Sequence, residues 1–220
     1  MADQSPRYHV TFLRHGESVG NAEERHQGRF DFPLTSLGKT QVQALAARWK
    51  AEEVTFDCII SSTLSRAMQT AEILASEFNL PIDPDPLWVE RHNGHLAGLR
   101  HEEAKTLYPQ PDFINPYEPY AGTGEGDWAL FLRAGQALQS LMQRPVGRYL
   151  VVTHGGLLNQ VMYAIIGIAP YPNSMGPRFR FDNTGFANTS YEPASHIWRI
   201  LCLNDHAHAQ GINSDEVTDI

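Results

Sequence analysis

Apolar and polar positions along the chain alternate between two periods. Tyr8 to Leu13 is rich in aromatic and β-branched residues and predicts a first strand, which Gly16 breaks into a turn. A helix is expected after Thr35, because Val42, Leu45, Ala46 and Trp49 fall at i, i+3, i+4 and i+7. Cys58 to Ile60 is a short, wholly apolar strand. Leu64, Ala67, Met68, Ala71, Leu74, Ala75 and Phe78 then form the stripe of a second helix, which Pro81 ends. His101 to Leu107 predicts a short helix, and Tyr108 to Gly126, with four prolines and three glycines, a loop insertion. A helix from Asp127 to Gln143 is expected to turn Trp128, Phe131, Leu132, Leu138 and Met142 inward. Tyr149 to Thr153 is another buried strand. Gly155 and Gly156 open a helix whose face carries Leu158, Val161, Met162 and Ile165. Two late strands are expected, Arg178 to Phe181 and His196 to Leu203, followed by a tail that reads as disordered at its end.

Strands alternating with helices predict an α/β fold, a three-layer α/β/α sandwich with a mostly parallel central sheet. The whole chain, 1–220, reads as one domain with a loop and helix cap inserted at about 92–127. In such sheets ligands sit beyond the carboxyl ends of the strands. Arg14-His15, Ser61-Ser62 and His154-Gly155 each follow a predicted strand, so three strand ends bring polar and cationic residues to one rim.

Composition narrows the function classes. With 220 residues, 42% of them hydrophobic, the chain can bury a large core. Its net charge of -8 argues against nucleic acid or an anionic membrane as partner. An anionic substrate would need a local cluster of cations. The two cysteines, Cys58 and Cys202, lie in apolar runs and are expected to be buried free thiols. Met1 to His9 lacks a signal-peptide core and no apolar run is long enough to span a bilayer, so a cytoplasmic location is expected. A homodimer is compatible with all of this.

The chemistry concentrates in five segments. They are Arg14-His15-Gly16-Glu17-Ser18 with Asn21 behind it; Gly28-x-x-Asp31-x-Pro33-Leu34-Thr35-x-x-Gly38; Ser61-Ser62-x-x-x-Arg66-Ala67-x-Gln69-Thr70-Ala71; Glu90-Arg91-His92-x-Gly94; and His154-Gly155-Gly156. Present in this order, with an ending at Asn204-Asp205-x-x-His208, they resemble the histidine phosphatase superfamily, in its phosphoglycerate-mutase-like branch. The resemblance spans about residues 8 to 208 and implies phosphoryl transfer through a phosphohistidine on His15.

The residue types suit that chemistry. Charge on the equatorial oxygens of a transferring phosphoryl group is stabilised by positioned cations and donors. Arg14 and Arg66 can fork onto those oxygens, and a full charge at about 4 Å is worth roughly 4 kcal/mol at an effective dielectric of about 20. The same cations disfavour an imidazolium and keep His15 nucleophilic. His154, Asn21 and the Gly155 N–H are expected to add donors to the phosphate. Glu90 is expected to protonate the leaving oxygen, with Glu17 as the alternative acid, more suited to a structural role in the turn. His92, His95 and His101 match no metal-ligand spacing, so neither metal nor cofactor is expected.

Departures from the mutase pattern point to a phosphatase. The late histidine is followed by Gly155-Gly156-Leu157 where mutases tend to carry Gly-Asn-Ser, and no Lys or Arg lies between Lys105 and Arg133. Tyr108, Phe113, Tyr117 and Tyr120 occupy that stretch with Asp112, Glu118 and Glu125, which suits a leaving group that is not strongly anionic. Arg91 and Arg100 leave open the recognition of a carboxylate. The expected activity is a metal-independent phosphomonoesterase acting on a small phosphorylated substrate. The alternatives are a phosphoglycerate-type mutase, or a non-catalytic member that binds a phosphorylated ligand.

Overall fold

Side-chain alternation along the first strand divides the interior in two. In β1 (Tyr8–Arg14), Val10 and Phe12 enter one core and Leu13 the other, as the two-residue period of a strand requires. The computed structural model describes residues 6–212, so the expected disorder at the chain's end falls largely outside the described residues. After β1 come α1 (Val19–Ala22), α2 (Ser36–Ala51), β2 (Cys58–Ser61), α3 (Ser65–Phe78), β3 (Ile82–Pro84), α4 (His101–Leu107), α5 (Asp127–Met142), β4 (Arg148–Thr153), α6 (Gly155–Ile166), β5 (Phe186–Glu192) and β6 (Ile197–Asp205).

The strands form one sheet in the order β3-β2-β4-β1-β5-β6. β3, β2, β4 and β1 are parallel neighbours, while β5 and β6 extend the sheet antiparallel. On one face, Val42, Leu45 and Trp49 of α2 and Ala67, Ala71 and Leu74 of α3 pack on Leu13, Ile59, Leu150 and Val152. On the other, Leu130, Ala134 and Leu138 of α5 and Leu158, Val161 and Met162 of α6 pack on Val10, Phe12, Ile60 and Val151. The three-layer α/β/α arrangement expected from the sequence is therefore present. Local signals set the helix ends: the Thr35 hydroxyl accepts from Gly38 N at 2.9 Å, and Asn79 and Gly167 close α3 and α6 in left-handed conformations.

Three expectations need correction. Arg178 to Phe181 is not a strand; the strand is Phe186–Glu192. The Phe179 main chain is bonded by Asn159 and the Phe181 carbonyl by Arg14, so this segment's polar groups are met by side chains instead of a ladder. Leu132 is 58% exposed, because the inward stripe of α5 runs through Leu130, Ala134, Ala137, Leu138 and Leu141. Cys58 and Cys202 are only half-buried, Cys58 as the first residue of β2 and Cys202 on the edge strand β6. β6 is an edge strand, with Ile197, Leu201 and Leu203 exposed. No helix among the described residues is long and apolar enough to cross a membrane.

Candidate active site

Parallel β1, β2 and β4 all end at the same side, and the segments leaving them deliver Arg14-His15, Ser61-Ser62 and His154-Gly155 to one place. There a cavity of about 980 Å³ is lined by Arg14, His15, Arg66, Glu90 and Gly155.

His15 is 3% exposed. Its Nδ1 lies 2.7 Å from the Gly16 carbonyl, which can only accept, so Nδ1 carries the hydrogen and Nε2 keeps a lone pair. Burial, then the charges of Arg66 and Arg14, hold the imidazole well below the ordinary histidine range, outweighing the Gly16 bond that favours protonation. At neutral pH the ring is therefore uncharged and has its nucleophilic nitrogen free. The backbone around it is fixed: His15 N donates to Thr153 O at 3.0 Å, and the Thr184 N–H reaches the Arg14 and His15 carbonyls.

The two arginines are positioned by main-chain carbonyls. Arg14 donates to Phe181 O at 2.6 Å, and Arg66 donates to Gly28 O and Phe30 O at 2.7 and 3.1 Å. Neither makes an ion pair among the described residues. Burial lowers both pKa values, that of Arg66 to about 10, which leaves them cationic at neutral pH. Arg14 Nε, Arg66 Nε and His154 Nδ1 are buried and have no hydrogen-bond partner among the described residues.

His154 is fully buried and its ring centroid lies 5.1 Å from that of His15. The Ser62 hydroxyl accepts from Leu64 N and sits 2.7 Å from His154 Nε2. If the hydroxyl hydrogen goes to Nε2, the single N–H of the neutral ring is the unpartnered Nδ1–H. Burial first, then Arg66 and His15, keep this ring neutral too.

Glu90 stands on the N-terminus of α6. Its carboxylate accepts from Gly156 N and Leu157 N, both at 3.0 Å, and from Arg91 N at 2.8 Å. This helix end thus supports Glu90, and Gly155 lines the cavity beside Arg14. Glu17 is bound to the Thr35 hydroxyl at 2.6 Å and lies outside the cavity lining, a structural placement.

Asn21 is the N3 residue of a capping box, its Oδ1 taking Ser18 N, the Ser18 hydroxyl and Asn183 Nδ2, bonds that do not use its Nδ2, the expected donor; neither Asn21 nor the fully buried His154 lines the cavity. His92, His95 and His101 do not converge: His95 stacks on Tyr108, while His101 meets His26 at 4.5 Å. Among the described residues no group of three potential ligands is arranged to hold a metal ion.

Two features were not read from the sequence. Arg133 on α5 donates to the Leu87, Val89 and Glu90 carbonyls and pairs with Glu125, pinning the segment that carries Glu90. An arginine within an amphipathic helix gives no local sign of such a role. The stretch from Pro170 to Asp182 walls the cavity, contributing Arg178 and Arg180 at its mouth. With Arg14, Arg25, Arg66 and Arg91, six arginines face three carboxylates, Glu90, Asp127 and Asp182, in a chain of net charge -8.

The chain is similar to several known proteins over most of its length. A probable phosphoglycerate mutase GpmB from Yersinia enterocolitica is 31% identical over 218 residues, spanning 94% of this chain and 98% of that protein. One from Proteus mirabilis is 33% identical with the same coverage of both chains. YhfR from Bacillus stearothermophilus superposes with a TM-score of 0.76 at 27% identity, covering 94% of this chain and all of that one. The mycobacterial glucosyl-3-phosphoglycerate phosphatase Rv2419c shares the fold at 23% identity, with a TM-score of 0.73 and coverage of 90% and 98%. The sequence profile of the histidine phosphatase superfamily (branch 1) matches residues 10–206, and the chain belongs to that superfamily.

Proposed function

We propose that this protein is a metal-independent phosphomonoester phosphatase that works through a phosphohistidine on His15. The observation that carries the reading is a neutral, buried His15 with Nε2 free, beside three buried nitrogens that have no partner: Arg14 Nε, Arg66 Nε and His154 Nδ1. An unmet buried donor costs about 1–3 kcal/mol, and the oxygens of a phosphoryl group would meet all three.

In the first step His15 Nε2 attacks phosphorus and the ester P–O bond breaks. Glu90, in its protonated form, gives its proton to the departing alkoxide. In the second step water attacks phosphorus, Glu90 takes the water's proton and the P–N bond breaks. Inorganic phosphate leaves and His15 returns to its starting state. Arg14 and Arg66 hold the equatorial oxygens in both steps.

A phosphoglycerate-type mutase is the second reading, favoured by the names of the relatives that are 31% and 33% identical. Against it stands the use of the two arginines that the sequence left open for a carboxylate. Arg91 is paired with Asp127 at 2.6 Å, and the exposed Arg100 lies outside the cavity lining, which leaves Arg178 at the mouth as the cation a mutase would have to use.

The test is turnover of p-nitrophenyl phosphate in EDTA by native protein and by His15→Ala. Native protein should release phosphate and yield an acid-labile phosphate on His15 when quenched without acid; His15→Ala should lose essentially all turnover. Full activity in His15→Ala, or activity restored only by a divalent ion, overturns the proposal. Dependence on a bisphosphorylated primer, with transfer to a second hydroxyl in place of release, would establish the mutase.

A further inference from the structure

Beside the phosphate cavity lies a second one of about 430 Å³, enclosed by residues of the cap. The two share a wall formed by Gln110, Ile114, Tyr120 and Asp127. Their linings differ in kind. The phosphate cavity carries six arginines, whereas the second has no Lys or Arg and is built from leucines, prolines and aromatic rings, with the carboxylates Glu118 and Asp127. Three of its apolar residues are unusually open to water: Leu107 is 62%, Phe113 60% and Tyr108 44% exposed. Large apolar side chains gathered on the rim of a cavity mark a place where apolar surface is bound.

The shared wall is held in place. The Ile114 main chain is clasped by Asn173, whose N–H donates to Ile114 O at 2.8 Å and whose Oδ1 accepts from Ile114 N at 2.7 Å. Asn173 sits at φ +58, a conformation that asparagine tolerates better than most residues. Arg91 lies over the Tyr120 ring at 5.0 Å and pairs with Asp127, so the wall's charges are spent on each other.

We infer that this second cavity is the subsite for an uncharged aliphatic or aromatic extension of the substrate's alcohol. The inference rests on the phosphatase reading for the position of the phosphate. The chemistry selects the occupant: an anionic group would meet two carboxylates and no cation, while an apolar one meets a rim already exposing its own apolar surface. The preferred substrates are then phosphate monoesters of alcohols with an apolar extension beyond a short linker, and a carboxylate that reaches the second cavity is a poor fit.

Binding of methyl-, butyl-, hexyl- and octylphosphonate, which cannot be hydrolysed, to the native protein tests this by calorimetry. Affinity should be nearly flat until the chain reaches the shared wall, then tighten by up to about fourfold for each methylene buried beyond it. Phe113→Glu and Leu107→Glu, both at exposed positions that the fold does not need, should erase the tightening, so that octyl- binds no better than butylphosphonate. A flat series in the native protein overturns the subsite, as does tightening that both variants retain, which would place the chain elsewhere in the large cavity. Turnover of p-nitrophenyl phosphate is measured in parallel. Its loss would count against the phosphatase reading alone, since phosphonate binding does not depend on catalysis.

Discussion

A Cβ at position 156 would lie 2.5 Å from Glu90 Oε1, so the carboxylate can stand on the start of α6 only because glycine is there. The backbone at 156 is helical, which alanine adopts readily, and the atom in the way is the end of a flexible side chain. Gly156→Ala should therefore fold normally and displace Glu90 alone. General acid catalysis contributes about 10²–10⁴-fold, and an alkyl alkoxide needs the proton far more than p-nitrophenolate does. Gly156→Ala is expected to slow alkyl phosphate hydrolysis about a hundredfold while slowing p-nitrophenyl phosphate hydrolysis only slightly, matching Glu90→Gln. An equal loss on both substrates in steady-state assays would show that Glu90 positions phosphate and is not the acid. At this scale the placement of Arg14, His15, Arg66 and His154 was legible from the sequence because each sits at a strand end or a helix start, whereas Glu90 lies in irregular chain between β3 and α4 and was pointed to only by its Glu-Arg-His-x-Gly segment. Asn21 shows the limit: a sequence places it near His15 but does not say that a capping box holds its oxygen and so fixes where its amide N–H groups point.

The element that secures Glu90 is α5, through Arg133. Its guanidinium serves three carbonyls of the segment from Leu87 to Glu90 and pairs with Glu125, both side chains being nearly buried. Removing one partner of a buried pair leaves the other uncompensated, at a cost of about 3–5 kcal/mol. Arg133→Met should lower the unfolding free energy in urea by about that much, with Arg133→Met/Glu125→Gln recovering a substantial part. A loss below about 1 kcal/mol would mean that Glu125 is satisfied by Arg29 and the His92 N–H alone. Elements were legible in the sequence where their own residues set the pattern. The stripes of α2 and α3 and the runs of β1, β2 and β4 are buried by their own periodicity. β5 was missed because Phe-Ala-Asn-Thr-Ser-Tyr-Glu carries no apolar run; its polar side chains are met by β1, Asn188 by the Thr11 hydroxyl and Thr189 by the Val10 carbonyl. The alternating Arg-Phe-Arg-Phe of 178–181 has a strand's period, but its phenylalanines face the cavity wall and its backbone is claimed by Asn159 and Arg14. Both outcomes depend on partners distant in the chain.

For the molecule as a whole, catalysis and acid stability meet in the same buried histidines. His15 and His154 are held neutral well below the ordinary range, mainly by burial and then by Arg66, and His208 is pushed down to about 4 by burial and Arg48. In the unfolded chain each takes a proton near pH 6.5. Below that pH the unfolded state binds more protons than the folded one, so the stability these groups allow is complete above about 6.5 and is lost as the pH falls toward their folded values. Each histidine that stays unprotonated adds a slope of up to about 1.4 kcal/mol per pH unit. Urea unfolding at pH 7.5, 6.5, 5.5 and 5.0 should show little change above 6.5 and a slope between 5.5 and 5.0 that exceeds one proton. His208→Gln, away from the cavity, should reduce that slope and leave the other two contributions in place. A flat profile over this range would mean that these rings accept protons inside the fold, contradicting the burial argument. The activity profile separates the two causes of acid loss. If His15 stays neutral until the fold gives way, the acid limb of turnover should follow the folded fraction measured by circular dichroism, and a limb near pH 6.5 in protein that remains folded would contradict the burial argument.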